Sequence, residues 1–198
     1  MLIYLQMGSF YRPERELTII AVGDSDSNKT ELLTKYTVNK EFYKYSFPAT
    51  FNTNVRDIIV DYIPYEVTFI DCEYDDDYSI IRFADYEKAD VVLLCYSIAN
   101  RRTFERMITK WCVEVRKINP RLPIILVATD TERRSNARDV KFVTLQEGVD
   151  MKFALNAFAL VECSVEKLVG IDDVFIEAVR STRILPAINC TDPNKSSF

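Results

Sequence analysis

The sequence predicts a single α/β domain built on a mostly parallel sheet of six strands, one of them in an antiparallel hairpin. First, apolar runs of strand length alternate with longer stretches of helical period. Second, the runs at 90–97 and 123–129 are apolar throughout, as expected of strands covered on both faces. Third, one segment alternates apolar and polar residues and is followed at once by another strand-like segment. The expected order is β-α-β-β-α-β-α-β-α-β-α, with helices and sheet in three layers.

The first half of the chain predicts three strands and a helix. Residues 17–23 (LTIIAVG) form a buried strand pattern that ends in a Gly-Asp turn, and residues 28–38 follow with helical spacing. A polar, aromatic loop is expected over 39–52. Strands at 54–62 and 64–71 are then expected to pair as a hairpin through residues 62–64.

The second half of the chain alternates strands and helices. Strands are predicted at 90–97, 123–129 and 158–164, and helices at 101–118, 144–155 and 171–184. The order also requires a helix between the third and fourth strands. The inner face of helix 101–118 is predicted as Phe104, Ile108, Trp111, Cys112 and Val115, with Trp111 packed in the core. The inner face of helix 144–155 is predicted as Val149, Phe153 and Ala154.

The composition excludes several classes of function. The chain has no histidine, which excludes histidine-dependent triads and most catalytic zinc sites. A net charge of −5 argues against nucleic acid and against an anionic membrane surface as the main partner. Only four glycines are present, although a site where backbone approaches phosphate usually needs several.

The cysteines and the apolar stretches indicate a cytoplasmic protein. The five cysteines lack C-x-x-C spacing and are interpreted as free thiols, with Cys95 and Cys163 as small core residues. No apolar stretch is long enough to span a membrane, and the first ten residues do not fit a signal peptide. Cys190 lies in no C-a-a-X ending, so no direct lipid anchor is evident.

A phosphate-loop pattern follows the first strand. In G-x-x-x-x-G-K-[ST], backbone N–H groups and a helix N-terminus cradle phosphate, the lysine reaches the outer phosphates and the hydroxyl binds Mg²⁺. Gly23, Lys29 and Thr30 match this pattern, but Asn28 replaces the second glycine. Asparagine tolerates the left-handed backbone, yet its side chain occupies space that phosphates need. Asp26 adds negative charge beside the site.

Further segments make the resemblance specific. WCVEVR at 111–116, LPIILVAT at 122–129 and VECS at 161–164 resemble the Rho family of small GTPases, with similarity over residues 17–183. This resemblance implies a G domain of the P-loop NTPase type over residues 16–185. It leaves residues 1–15 as an N-terminal extension and 186–198 as a flexible tail.

The resemblance also implies which residues should bind GTP or GDP with Mg²⁺, if nucleotide binding is retained. The metal would be held by Thr30 and Asp71. The candidate nucleotide-binding residues are Gly23, Ser25, Ser27, Asn28, Lys29, Thr30, Asp71, Thr129, Glu132 and Ser164.

Several positions depart from the family's motifs. Ala49 stands at the place of the first switch's threonine, with Thr50 one residue later. Tyr74 and Asp75 replace the glycine that contacts the γ-phosphate and the glutamine that orients water. Asp130 and Glu132 replace the lysine that packs along the nucleotide and the aspartate that reads the base. The fifth motif keeps Ser164 but has Val165 and Glu166 in place of the expected residues.

Other interpretations stay open at this stage. Lys29 and Thr30 also fit an ordinary helix start. Residues 71–77 have calcium-loop spacing, but they lack a glycine at the sixth place and have Arg82 at the twelfth. The aromatic residues of the first switch-like loop fit either packing or partner binding; they are Phe42, Tyr43, Tyr45 and Phe47.

Two classes of function follow from the resemblance. In the first, the protein is a pseudo-GTPase that presents switch-like loops 39–53 and 71–86 to protein partners, with weak or absent GTP binding. In the second, it is a divergent GTP-binding switch with slow turnover. No catalytic residue is assigned in either, since the family's glutamine is replaced.

Overall fold

The computed structural model describes residues 15–38, 55–72, 79–136 and 142–183. Within them, six strands form one sheet in the order β2-β3-β1-β4-β5-β6. Only β2 and β3 pair antiparallel. The strands are β1 (Arg15–Val22), β2 (Val55–Val60), β3 (Ile63–Asp71), β4 (Val91–Ser97), β5 (Ile124–Thr129) and β6 (Ala159–Glu162). The predicted fold class is therefore confirmed.

The helices lie between the strands in the expected order. They are α1 (Lys29–Val38), α2 (Ser79–Lys88), α3 (Arg101–Arg106), α4 (Val113–Ile118), α5 (Leu145–Ala154) and α6 (Ile171–Arg183). A π-helical segment, Met107–Cys112, joins α3 to α4, so the predicted helix over 101–118 is one continuous element. The helix required between β3 and β4 is α2.

Two apolar cores lie on the two faces of the sheet. One packs α1 and α6 against the sheet and contains Cys95 and Cys163. The other packs α2, α3, α4 and α5 against the opposite face and contains Trp111. The apolar runs of β4 and β5 are buried throughout, because each strand contributes side chains to both cores. Cys72, Cys95, Cys112 and Cys163 are buried free thiols, as predicted for the two strand cysteines.

The predicted inner face of α5 is wrong. Phe153 is 74% exposed and Ala154 is also exposed, whereas Gly148 is buried and Met151 and Leu155 pack against the core. Space explains the difference, because a Cβ on Gly148 would lie only 2.8 Å from the Tyr96 hydroxyl oxygen. A residue without a side chain therefore faces the sheet, and the apolar Phe153 lies on the opposite side.

The hairpin is confirmed, but its turn lies earlier than predicted. β2 ends at Val60 and β3 begins at Ile63, so the turn residues are Asp61 and Tyr62. Both have positive φ, 50° and 68°, as the two-residue turn that matches strand twist requires. β6 is also shorter than predicted, because Ser164 leaves the strand and pairs with Val169 instead.

Candidate functional site

Parallel pairing brings the candidate loops to one edge of the sheet. Ala21 of β1 lies opposite Asp71 of β3, and Ser97 of β4 lies opposite Thr129 of β5. The loops after β1, β3, β5 and β6 therefore begin at the carboxyl ends of strands in one sheet, where open α/β sheets bind ligands. The predicted site residues lie in these loops, in the first turn of α1 or, for Asp71 and Thr129, at the last position of a strand.

The loop after β1 is shaped by close packing at Gly23. A Cβ there would lie 2.5 Å from the Cys95 carbonyl oxygen and 2.8 Å from the Ser27 hydroxyl oxygen. Ser27 is fully buried, and its hydroxyl donates to the Asp24 carbonyl oxygen at 2.6 Å. Ser25 is exposed in the short 3-10 turn between them. Gly23 and Ser27 thus set the path of the loop, and Ser25 faces solvent.

The start of α1 brings together three predicted residues. Lys29 is 2% exposed, and its Nζ lies 3.9 Å from Oδ1 of Asp71. The Thr30 hydroxyl donates to Oδ2 of Asp71 at 2.5 Å. A buried lysine beside a hydroxyl and a carboxylate is the arrangement expected of a Mg²⁺-phosphate site, because Mg²⁺ takes one or two carboxylates together with phosphate oxygens. At this end the residues fit both the metal and the phosphates.

Asp24 connects the loop to the helix on the other face of the sheet. Its Oδ1 accepts hydrogen bonds from Nε of Arg106 at 2.9 Å and from Nε1 of Trp111 at 2.8 Å. The two donors are five residues apart, with Arg106 directly before the π-helical segment and Trp111 within it. The sequence prediction of a regular helix with an apolar inner face missed this contact. The sequence did contain one signal for this contact: the indole N–H of a buried tryptophan usually donates a hydrogen bond to a partner.

The loop that begins at Asp130 after β5, called the base-side loop here, is held by hydrogen bonds to neighbouring loops and strands. Asp130 is 7% exposed and has a left-handed backbone with φ of 64°. Its Oδ1 accepts a hydrogen bond from Nδ2 of Asn28 at 2.6 Å, and its Oδ2 accepts one from the Ser97 hydroxyl. The buried Thr129 hydroxyl lies 3.0 Å from the Ser27 carbonyl oxygen. The phosphate loop and the base-side loop therefore touch at two points.

The charge around the base side is negative. Burial, reinforced by the carboxylates of Asp130 and Glu132, raises the pKa of the Cys163 thiol to about 12. Glu132 lies half-buried in the 3-10 turn Thr131–Asn136. The Nε of the exposed Arg133 lies 3.8 Å from Oδ1 of Asp130. A lysine packed along a nucleotide would supply positive charge here, so this end does not fit the nucleotide as the phosphate end does.

Ser164 has a local partner in the loop after β6. Its hydroxyl oxygen accepts a hydrogen bond from the backbone N–H of Lys167 at 3.0 Å, and its backbone pairs with Val169 in both directions. The residue is 2% exposed. In the structure Ser164 therefore stabilises the turn after β6. That Ser164 binds a nucleotide stays a prediction.

Buried polar contacts connect α2 to α4. Arg82 is 1% exposed and donates to both carboxylate oxygens of Glu114, at 2.5 Å and 3.0 Å. The Tyr86 hydroxyl donates to the same Glu114 at 2.8 Å, and the guanidinium of Arg82 lies over the Trp111 ring at 5.3 Å. Arg82 therefore makes contacts inside the fold. This argues against the interpretation of the segment as a calcium loop, whose twelfth residue must be an acidic ligand.

Some predicted features lie outside the described residues. These include the whole switch-like loop 39–53, with Ala49 and Thr50, and the segment 73–78 that contains Tyr74 and Asp75. The remainder of the predicted loop 71–86 is mostly helical, because α2 begins at Ser79. Among the described residues, no group of three or more acidic, cysteine or histidine side chains is placed to hold a metal ion.

No helix in the described part of the chain is both long enough and apolar enough to cross a membrane. The helices that the structure contains are amphipathic or short, and each packs against the sheet or against a neighbouring helix.

Comparison with known proteins gives consistent results. A sequence model described as the Ras family matches residues 18–184. The chain is similar to Ras-like GTP-binding protein RhoL of Drosophila melanogaster, with 39% identity over 172 residues, 87% of this chain and 90% of that protein. It is also similar to Rho-related GTP-binding protein RhoH of Bos taurus and of Mus musculus, at 34% and 33% identity over 165 residues. Each of these matches covers 82% of this chain and 85% of the relative.

Proposed function

Because the chain belongs to the Rho branch of the Ras family of small GTPases, we propose that it is an interaction module with weak or absent GTP binding and little hydrolysis. The observation that carries this proposal is the buried carboxylate of Asp130 in the base-side loop. In the family this position is a lysine that packs along the nucleotide. Here an anionic side chain replaces that cation. Glu132 replaces the family's shorter base-reading aspartate.

The loss of affinity for GTP is estimated from the hydrogen bonds to the nucleotide that the changed residues no longer make. A hydrogen bond to a charged group is worth roughly 1.5–3 kcal/mol, so losing or straining three of them costs about 5 kcal/mol. That loss weakens binding by more than about 10³-fold. Repulsion between nucleotide phosphates and nearby carboxylates adds to it. Hydrolysis is weakened separately, because Asp75 replaces the glutamine that orients water.

The anchoring of α2 supports a role in partner binding. In this family the segment around α2 is one of two that contact partners, and here it is held by Glu114 through Arg82 and Tyr86. These are contacts within the protein, so they persist without a phosphate. On the outer side of α2, Ile80 is 81% exposed and Ile81 is 48% exposed. We propose that protein partners bind here and at loop 39–53, in the cytoplasm, with no nucleic acid involved.

The phosphate end favours a second candidate function. Lys29, Thr30 and Asp71 are assembled as a Mg²⁺-phosphate site requires. If this half-site alone gives sufficient affinity, the protein is a slow GTP-binding switch. Its binding energy would then come from phosphate and Mg²⁺, with poor selection of the base, because the base-side residues are changed.

Nucleotide content distinguishes the two candidates. The protein is purified without added nucleotide and denatured, and the released guanine nucleotide is quantified by anion-exchange chromatography. Calorimetry with Mg²⁺-GTP and Mg²⁺-GDP follows on the native protein. We expect much less than one nucleotide per chain and little or no heat. Stoichiometric nucleotide that disappears in Lys29→Ala would overturn the interaction-module proposal and establish the switch.

A further inference from the structure

We propose that Asn28 and Asp130 form an internal latch that takes over the nucleotide's bridging role by tying the phosphate loop to the base-side loop. This inference rests on the proposed function and states how the site is kept closed. Both residues depart from the family's motifs, and the structure places their side chains in direct contact. The two changes therefore act as one paired substitution across the site.

The bond between the two side chains is short and has a defined direction. Nδ2 of Asn28 donates to Oδ1 of Asp130 at 2.6 Å, although the residues are 102 positions apart in sequence. Asn28 has φ of 57° and ψ of 21°, and Asp130 has φ of 64°. Asparagine and aspartate are the side-chain-bearing residues that adopt this left-handed conformation most readily. Each residue type therefore suits both its backbone and its partner.

Neighbouring contacts hold the carboxylate in place. Oδ2 of Asp130 accepts a hydrogen bond from the hydroxyl of Ser97, which is 2% exposed at the end of β4. The Thr129 hydroxyl contacts the Ser27 carbonyl oxygen beside the same junction. With both oxygens satisfied, the buried carboxylate has the partners that a polar group in a low-dielectric environment needs.

The latch and a guanine nucleotide compete for the same groups. The second glycine of a phosphate loop lets backbone approach phosphate, and Asn28 places a side chain there instead. A nucleotide spanning the two loops would have to break the Asn28–Asp130 bond. It would then lie beside a carboxylate that has lost the Asn28 partner of Oδ1, and a buried oxygen left without its hydrogen bond is costly. The same contact therefore stabilises the empty domain and excludes the ligand.

A double-mutant cycle tests the stabilising half of the proposal. Asn28→Gly and Asp130→Gly remove the side chains while suiting the left-handed backbone. The matched control is Asn156→Gly, since Asn156 is also left-handed, at φ of 49°, and lies at the far end of α5. From the usual net worth of a hydrogen bond to a charged group, we expect Asn28→Gly to lower the folding equilibrium constant about tenfold in urea unfolding. In the Asp130→Gly background it should lower that constant less than about twofold.

Restoring the family's residues tests the excluding half. We expect Asn28→Gly/Asp130→Lys to bind a fluorescent GDP analogue with Mg²⁺ at least about tenfold more tightly than the unchanged protein, because the variant lacks the bond between the two loops. Should this variant not fold, Asn28→Gly/Asp130→Gly provides the same binding measurement with the site opened. Additive effects in the cycle, or no gain in binding by the folded double variant, overturn the latch.

The two proposals fail in distinguishable ways. If the unchanged protein carries stoichiometric nucleotide, the interaction-module function and the latch both fail. If the unchanged protein lacks nucleotide and the opened variants gain no affinity, the latch fails while the proposed function stands.

Discussion

Gly23 is constrained by its neighbours more directly than by any ligand. A Cβ at this position would lie 2.5 Å from the carbonyl oxygen of Cys95, which belongs to the backbone of the central strand β4 and cannot rotate away. The same Cβ would crowd the buried hydroxyl of Ser27. The packing around Gly23 therefore leaves no room for a side chain, independently of phosphate binding.

Gly23→Ala should destabilise the protein by about 1–3 kcal/mol, because the added methyl group forces either the loop or β4 to shift. The free energy of unfolding in urea measures this effect. Ser25→Ala, in the exposed part of the same loop, is the control and should change stability by less than about 0.5 kcal/mol. Equal stability of the two variants would show that the close approach to Cys95 is not a constraint.

Among the individual residues, the sequence predicts one group of contacts, those of Lys29 and Thr30 with Asp71. Lys29, Thr30 and Asp71 could be predicted to meet because a strand order places their loops at one edge of the sheet. The contact of Asp24 with Trp111 and that of Asn28 with Asp130 could not be predicted. They join positions 87 and 102 residues apart, and neither spacing nor composition indicates which polar side chains of two loops will pair.

The hairpin of β2 and β3 is tied to α6 by its turn. Asp61 accepts hydrogen bonds from Nη2 of Arg180 and from Nη1 of Arg183, both at 2.7 Å. The hydrogen bond from Arg180, helped by the charges of both arginines, holds the pKa of Asp61 below its usual value of 3.8. Arg183 also donates to the Val60 carbonyl oxygen. This cluster joins the edge of the sheet to the last described helix.

Asp61→Asn should lower the melting temperature at neutral pH, with the difference disappearing in acid. The native pKa is depressed, so the ion pairs stabilise the fold above the unfolded pKa of about 3.9 and are lost as pH falls through the native value. Asparagine keeps the left-handed turn conformation, so the variant isolates the charge. Melting curves of both proteins between pH 7 and pH 3 measure this effect. A difference in melting temperature that does not change with pH would contradict it.

One helix face was predicted correctly and one was not: the predicted inner face of the helix over 101–118 packs in the core, whereas that of α5 does not. The continuous runs of β4 and β5 defined those strands because both of their faces are buried. The helix over 101–118 was expected to be regular, but its middle is π-helical, and Arg106 and Trp111 both donate to Asp24. In α5 the apolar pattern was misleading, since the buried position is a glycine.

The whole molecule depends on two cores that have no side chains in common. An aromatic cluster centres the first core, where the ring of Phe175 stacks on Tyr36 with centroids 3.7 Å apart and meets Phe69 edge-on at 5.4 Å. This cluster joins α1, β3 and α6, and so it connects the phosphate-loop helix to the last described helix. Burial strongly raises the pKa of the Tyr36 hydroxyl, reinforced by the charge of Asp172, so Tyr36 stays neutral in the fold.

Phe175→Ala should destabilise the protein by about 3–5 kcal/mol, because it removes a fully buried ring and leaves a cavity between α1 and α6. Phe153→Ala, on the outer side of α5, should change stability by less than about 0.5 kcal/mol. Urea unfolding of both variants measures the contrast. A large loss for Phe153→Ala would support the sequence-based face of α5 over the one in the structure.

The left-handed residues of this chain have a consequence for its unfolded state. Asn28, Asp61, Tyr62 and Asp130 occupy turns that glycine commonly fills, and each carries a side chain that restricts the unfolded backbone. Replacing a flexible residue by a stiffer one reduces the entropy that folding removes, by about 0.4–1 kcal/mol where the new residue adopts the native backbone without strain. Strain of roughly 1–2 kcal/mol opposes this gain at Tyr62, which has no short polar side chain to relieve it. A chain with so few glycines is therefore ordered in part by how little freedom it has when unfolded.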